Sequence, residues 1–543
     1  MFEYLEERNR LTKIISIVAL LALVLGTHAF NSSFAYALEE DEKEPEKLQN
    51  IILIPSPLSS SSKSSYSILD PNPSLIDKDG NLISNISLAA SIPTYRSGTI
   101  ADGVSKLILL IESNNTLQFS INDTKSDDLT NGALSSLNQE NINNNNLSST
   151  TIVNPQNISN GKSIVAAVYI PPNNIDLTEN ISHRTINILT NNTNNSPISI
   201  QLYRPPVVLV HGLWTNSNET WVATNFTNKL TDNGFIYAFA DYEKHNSDTF
   251  DPYANKTIGD KPFGNYGIDS IRNAINYTLN VYHYFSIAAS QVDIVAHSMG
   301  GLMARGFVQQ PDYVKQDNFM KGSIHRLITI GIPHFGTPLF KFLYDHRDDW
   351  YCFNEKGEIL PAQKCNEPPM QLKTFYGNYN RLIEEGAVKS LIPGSDAYSH
   401  LCQTNVSSYA IAGSWRPNAN VSHGSQESYF KNITDNKGDF NLDGKDGFND
   451  DNDLVVSITS QLGGLQKQIR QPGSNGIPNQ SALYPNTVHV SLLITGDDKD
   501  VFSETNSPHI QQDIIRLLGS SDDNKFADAI GRGSLCHVPK QVQ

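Results

Sequence analysis

Basic residues are scarce in this sequence: 40 Lys and Arg stand against 56 Asp and Glu in 543 residues, a formal net charge of −16. That balance repels nucleic acid and anionic membrane, so nucleic acid is excluded as a partner. Cysteine is scarce as well, with only Cys352, Cys365, Cys402 and Cys536, enough for two disulfides at most. Long apolar runs are missing after the N-terminus, so no later stretch is suited to span a bilayer.

The apolar run 14–26 follows Arg8, Arg10 and Lys13 and precedes small residues at Ala35 and Ala37. This order predicts a secretory signal peptide over 1–37. The run is shorter than the ~20 residues of a spanning helix, but the stretch after it continues fairly apolar and leaves an uncleaved anchor open. The expected location is secreted or at the extracellular surface. Asn-X-Ser/Thr sites such as Asn122, Asn157, Asn218 and Asn405 suit a glycosylated export product. Export also places the cysteines where disulfides persist, with Cys352 and Cys365 the expected local pair.

Residues 38–73 are acidic and then serine-rich, with too little apolar content for a core, and read as a linker. Short β-prone runs at 106–111, 116–121, 163–170 and 197–203, parted by Asn-rich turns, predict a small all-β sandwich domain over 74–203. The Asn- and Ser-rich run 126–150 is expected to be a long loop within it. From Arg204 apolar strands alternate with amphipathic helices, which predicts an α/β domain with a mainly parallel sheet over 204–520. Strands are expected at 207–210, 236–240, 292–296, 327–330 and 409–412, and residues 521–543 read as a C-terminal tail.

The chemistry starts at AHSMGG, residues 296–301, between a buried strand and a helix. A serine hydroxyl is a weak nucleophile, so it needs a sharp turn that exposes it to a base and to backbone amides. Ala296 and Gly300 are small enough to permit that turn, which makes Ser298 the candidate nucleophile. In such a fold the oxyanion is held by the amide after the nucleophile and by one from the loop after an early strand. The strand 207–210 runs into His211-Gly212-Leu213-Trp214, so the amides of Leu213 and Met299 are the expected donors.

Four stretches together carry a wider resemblance: VVLVHGLW at 207–214, DIVAHSMGGLMARGF at 293–307, RLITIGIPHFGTPL at 326–339 and AVKSLIPGSDAYSHL at 387–401. The chain from about 205 to 520 resembles the lipases and lecithin-acyltransferase-like or inositol-deacylase-like members of the α/β-hydrolase superfamily. The resemblance implies a cap inserted at about 339–392. It also implies the order serine, acid, histidine. On that pattern Asp453 is the expected acid, with Asp451 as runner-up, and His489 is the expected base, with His509 as the alternative. His509 would sit at a helix N-terminus, where the dipole disfavours its protonation.

The segment 439–450 alternates oxygen donors around Gly444 in the spacing of a calcium loop. Asp439, Asn441, Asp443 and Asp450 would bind through side chains and Lys445 through its carbonyl. Ca2+ is thus the expected cofactor, structural in role, and no organic cofactor is expected. The expected function is a secreted serine carboxylic ester hydrolase, a lipase or esterase, with an ester or lipid as substrate. Its rivals are an acyltransferase using the same triad and a surface adhesion protein with an inert hydrolase fold. Any association with a cell surface would run through the N-terminal segment or the β-sandwich domain. Because the calcium loop ends three residues before Asp453, chelation with EGTA is expected to lower both the melting temperature and the esterase activity. If neither changes, the loop binds no structural calcium.

Overall fold

The computed structural model describes the chain from residue 98 to 536 apart from several internal stretches, the longest being 416–451, together with short strands between residues 51 and 68. The expected signal peptide and the expected calcium loop lie outside the described residues.

The larger domain is built on a sheet of six strands: β1 (Val207–Val210), β2 (Tyr237–Ala240), β3 (Val292–His297), β4 (Ile324–Ile330), β5 (Ser407–Ser414) and β6 (Ser481–Pro485). Their spatial order is β2-β1-β3-β4-β5-β6 and every pairing is parallel. A parallel sheet must be covered on both faces, and the alternation of side chains shows how. Val208, Val210, Ile294 and Ala296 point to one apolar layer with Ile268, Ile271 and Ile275 of α1 (Tyr266–Tyr284) and Leu302 and Met303 of α2 (Met299–Val308). Val207, Leu209, Val295 and Ile328 point to the other, with Phe226 and Leu230 and with Ile510, Ile514 and Leu517. Between β4 and β5 the chain inserts α3 (Pro338–Asp345), a three-stranded antiparallel sheet and short helices in the region expected to be a cap. Ser507 caps the last helix, α4 (Pro508–Leu518), by accepting from the Ile510 amide.

The smaller domain is the expected β-sandwich. Leu107, Leu109, Val165 and Ala167 from one sheet meet Phe119, Ile121, Ile186, Ile188, Ile198 and Ile200 from the other in one apolar cluster. Two sequence expectations change here, and a third pairing joins the two domains. Residues Ile51–Pro55, read as linker, form a strand antiparallel to Leu107–Glu112, because the edge of that sheet offers them a hydrogen-bonding partner. Ala133–Ser136, inside the run expected to be a loop, pairs with Ser163–Ile170. The pair Ile287–Ala288, on the way from α1 to β3, adds itself parallel to Gly98–Ile100 of the sandwich. The sandwich therefore sits at the N-terminal ends of the parallel strands, the end opposite the serine turn.

The C-terminal region read as a tail is also part of the larger domain. Phe526, Ala527 and Ile530 are buried, and the backbone of Ala527 exchanges hydrogen bonds with Ser408 at the start of β5. Cys536 is disulfide-bonded to Cys402, with a Cα–Cα distance of 5.1 Å. Cys365, of the pair nearer in sequence, lies outside the described residues. Arg305 of α2, fully buried, donates to the Cys402 carbonyl at 2.9 Å and lies against Gly531. The bond closes 134 residues of sequence. Cys536→Ser is expected to lower the unfolding free energy by about 2–4 kcal/mol, read from urea denaturation, because the open chain gains loop entropy when unfolded.

Candidate active site

β3 ends in His297, and α2 begins at Met299, so the chain must reverse at one residue. That residue is Ser298, with φ 53° and ψ −134°, a conformation that costs a non-glycine residue of order 1–3 kcal/mol. Its amide donates to the Ile330 carbonyl at 3.0 Å, which ties the turn to β4. Close neighbours make the turn possible by lacking side chains. A Cβ on Gly300 would fall 2.4 Å from the His211 carbonyl oxygen, and one on Gly212 would fall 2.7 Å from the Ser298 Cβ.

The Ser298 Oγ lies 2.8 Å from His489 Nε2, and His489 Nδ1 lies 2.8 Å from Asp453 Oδ2. The structure thus brings together three residues that the sequence separates by up to 191 positions. Asp453 is fully buried and Oδ1 accepts from the amides of Val455 and Val456. The His489 amide donates to the Asp453 carbonyl at 3.0 Å, so the two segments are bound through backbone as well as side chain. Asp451 lies outside the described residues, as do Asp439, Asn441, Asp443, Lys445 and Asp450. His509 is exposed at the start of α4, away from this cluster.

Met299 follows the serine directly, and Leu213 follows Gly212, whose Cα faces the Ser298 side chain. His211 is fully buried, stacked on Tyr242, and its Nε2 accepts from the Tyr242 amide at 3.2 Å. The Gly212 carbonyl, 3.0 Å from Nδ1, can only accept, so Nδ1 donates to it, while Nε2 also lies 3.2 Å from Asp241 Oδ1. With that carbonyl held toward His211, planarity of the trans peptide turns the Leu213 N–H the opposite way. The Met299 amide opens α2 and has no intrahelical acceptor. These two amides accordingly remain available to a developing oxyanion. Through these contacts His211 orients the loop that faces Ser298.

Sequence reasoning missed Glu504. This residue is fully buried, with Oε2 3.2 Å from His489 Nδ1 and 3.5 Å from His297 Nε2. Oε1 accepts from the Gly413 amide at 2.9 Å. No spacing or motif announces it. Burial disfavours a charged His489, but the carboxylates of Asp453 and then Glu504 outweigh burial and raise its pKa above the ordinary histidine value. Burial lifts the Asp453 carboxyl to about 6, opposed by His489 and reinforced by Glu504.

The parallel sheet, the serine at the end of its third strand in sequence and the acid and histidine on loops after the fifth and sixth define an α/β-hydrolase domain. Residues 204–349 match the family model of the PGAP1-like alpha/beta domain. Among solved structures, the mature Bacillus licheniformis lipase BlEst2 is similar at 15% identity, over 58% of this chain and 92% of that one, with a TM-score of 0.31. Staphylococcus hyicus lipase is similar at 13% identity, over 58% and 96%, with a TM-score of 0.32. Legionella pneumophila phospholipase PlaB follows at 13%, over 59% of this chain and 61% of that one, with a TM-score of 0.33. No curated protein matches the chain.

The two nearest contacts of a Cβ at Gly300 would be the backbone carbonyl oxygens of His211 and Val210, which cannot swing aside. Gly300→Ala is expected to destabilise the fold by about 1–3 kcal/mol or more through overpacking, measured by urea denaturation. An unchanged midpoint would mean that the α2 start has room to move.

Proposed function

We propose that this protein is a secreted serine carboxylic ester hydrolase, a lipase or esterase, acting through an acyl-enzyme. The observation that carries the reading is the continuous chain from Ser298 Oγ through His489 to the buried Asp453, at 2.8 Å per link. As Oγ attacks an ester carbonyl carbon, His489 Nε2 takes its proton, and Asp453 holds the imidazole in the tautomer that leaves Nε2 free to accept. The carbonyl oxygen gains the negative charge and is met by the amides of Leu213 and Met299. Collapse breaks the bond to the alcohol, which leaves with the proton from His489. Water then attacks the acyl-serine, giving its proton to His489, and the acid is released with Ser298 restored.

Support for an ester of an apolar acid comes from the residues that follow Gly212. Leu213 and Trp214 continue the loop that touches Ser298, and the Trp214 ring meets Phe340 of α3 edge-on at 5.6 Å between centroids. Such apolar surface favours an acyl chain over a polar group. Support for export is the charged, apolar and small-residue order of the first 37 positions. In this reading Ca2+ binds at 439–450 and steadies the segment leading to Asp453.

The test is hydrolysis of a series of p-nitrophenyl esters by the wild-type protein and by Ser298→Ala. Activity is expected to fall by at least about 10^4-fold in the variant. Full activity in Ser298→Ala would sink the assignment.

A further inference from the structure

Glu504 is a buried carboxylate to which the acyl-transfer chemistry has given no part. Its placement is built into the backbone. Thr487–Val488 and Phe502–Ser503 form a two-stranded parallel ladder in which Val488 pairs with Ser503, so the next residues, His489 and Glu504, stand side by side. The Glu504 amide completes the ladder by donating to the Val488 carbonyl at 2.8 Å. Space for the side chain exists because two glycines stand at the ends of neighbouring central strands. A Cβ on Gly331, itself at φ +60°, would fall 1.8 Å from Oε2, and a Cβ on Gly413 would fall 2.7 Å from Oε1.

The two carboxylate oxygens differ. Oε1 is held by the Gly413 amide, whereas Oε2 is buried without a hydrogen-bond partner although it lies 3.2 Å from His489 Nδ1. The imidazole directs its Nδ1 hydrogen to Asp453 Oδ2 at 2.8 Å, and Oε2 waits beside that bond. A buried carboxylate oxygen without a hydrogen-bond partner is costly, and replacing a buried ionised group by an apolar side chain of similar volume is often neutral or stabilising. A structural role alone therefore does not account for an acid here.

Building on the reading of Ser298 and His489 above, we propose that Glu504 is a positioning residue of the base. With Asp453 it forms a two-carboxylate cradle for the His489 Nδ1 hydrogen, and it accepts that hydrogen when Asp453 cannot. The groups facing His489 are Asp453 from the loop after β5, Glu504 from the turn before α4, and His297 and Ser298 from the end of β3, with the His297 ring 4.7 Å away between centroids. Burial would lift the Glu504 carboxyl, but its contacts with His297 and His489 prevail and keep its pKa below the ordinary glutamate value. Burial lowers the pKa of His297, so it adds little positive charge of its own at neutral pH. Only a neutral His489 can take the serine proton, so each carboxylate at Nδ1 moves the acid limb of kcat/KM toward higher pH.

The experiment compares pH profiles of ester hydrolysis for wild type, E504Q, D453N, the double variant and S298A. In E504Q a negative charge 3.2 Å from Nδ1 is gone, so the acid limb is expected to move to lower pH by about one unit. The limb's position does not depend on the fraction of enzyme folded, so poor folding of the variant cannot mimic this shift. D453N preserves an acceptor for the Val455 and Val456 amides. It is expected to lose about 10- to 100-fold, with the double variant falling by the ~10^4-fold typical when a triad histidine has no carboxylate. An unmoved limb in E504Q, or a D453N variant no more active than the double variant, overturns the role of Glu504. Activity retained in S298A would instead overturn the underlying reading of the site, and the cradle with it. An inactive S298A beside an unmoved E504Q limb removes Glu504 alone.

Discussion

A histidine that must meet a serine with one nitrogen and a carboxylate with the other sets the terms for this molecule. His489 does so with 2.8 Å contacts on both sides, itself buried between a fully buried Asp453 and a partly exposed Ser298. Three loops after three different strands have to converge to achieve this, which is possible because parallel strands deliver all their C-terminal ends to one edge of the sheet. The strained backbone of Ser298, tied to β4 through its amide, is sustained by packing that leaves the chain no easier path. Glycines at 212, 300, 331 and 413 mark where other groups occupy the space of a side chain.

The remaining structure supports that edge from a distance. The β-sandwich attaches at the opposite end of the sheet through Ile287–Ala288 and through Asn174, which donates to the carbonyl oxygens of Leu518 and Ser520 after α4. The C-terminal segment, bonded through Cys536 to Cys402, lies against Arg305 of the helix that follows the serine. Both attachments brace the scaffold and leave the face bearing Ser298 to the region between β4 and β5.

Legibility followed the range of the physics involved. The serine turn was readable because a strand, a sharp reversal and a buried helix make steric demands on adjacent residues, and AHSMGG meets them in six consecutive positions. The parallel sheet was readable from apolar runs covered on both faces, although β6 was overlooked and five strands were placed within a few residues of their ends. Residues 51–55, 133–136 and 287–288 were missed because each becomes a strand only when a sheet edge is presented to it.

By itself, then, the sequence determined the local devices: the turn at Ser298, the glycine-bearing loop before Leu213 and the alternation of strand and helix. Resemblance, rather than local pattern, directed attention to Asp453 and His489. The tertiary structure alone decided that these two meet Ser298, and that Glu504 stands behind them. The reason is that a buried carboxylate takes its meaning from what surrounds it. Two glycines on neighbouring strands and a two-residue ladder create that surrounding, and they come together only when the sheet has formed.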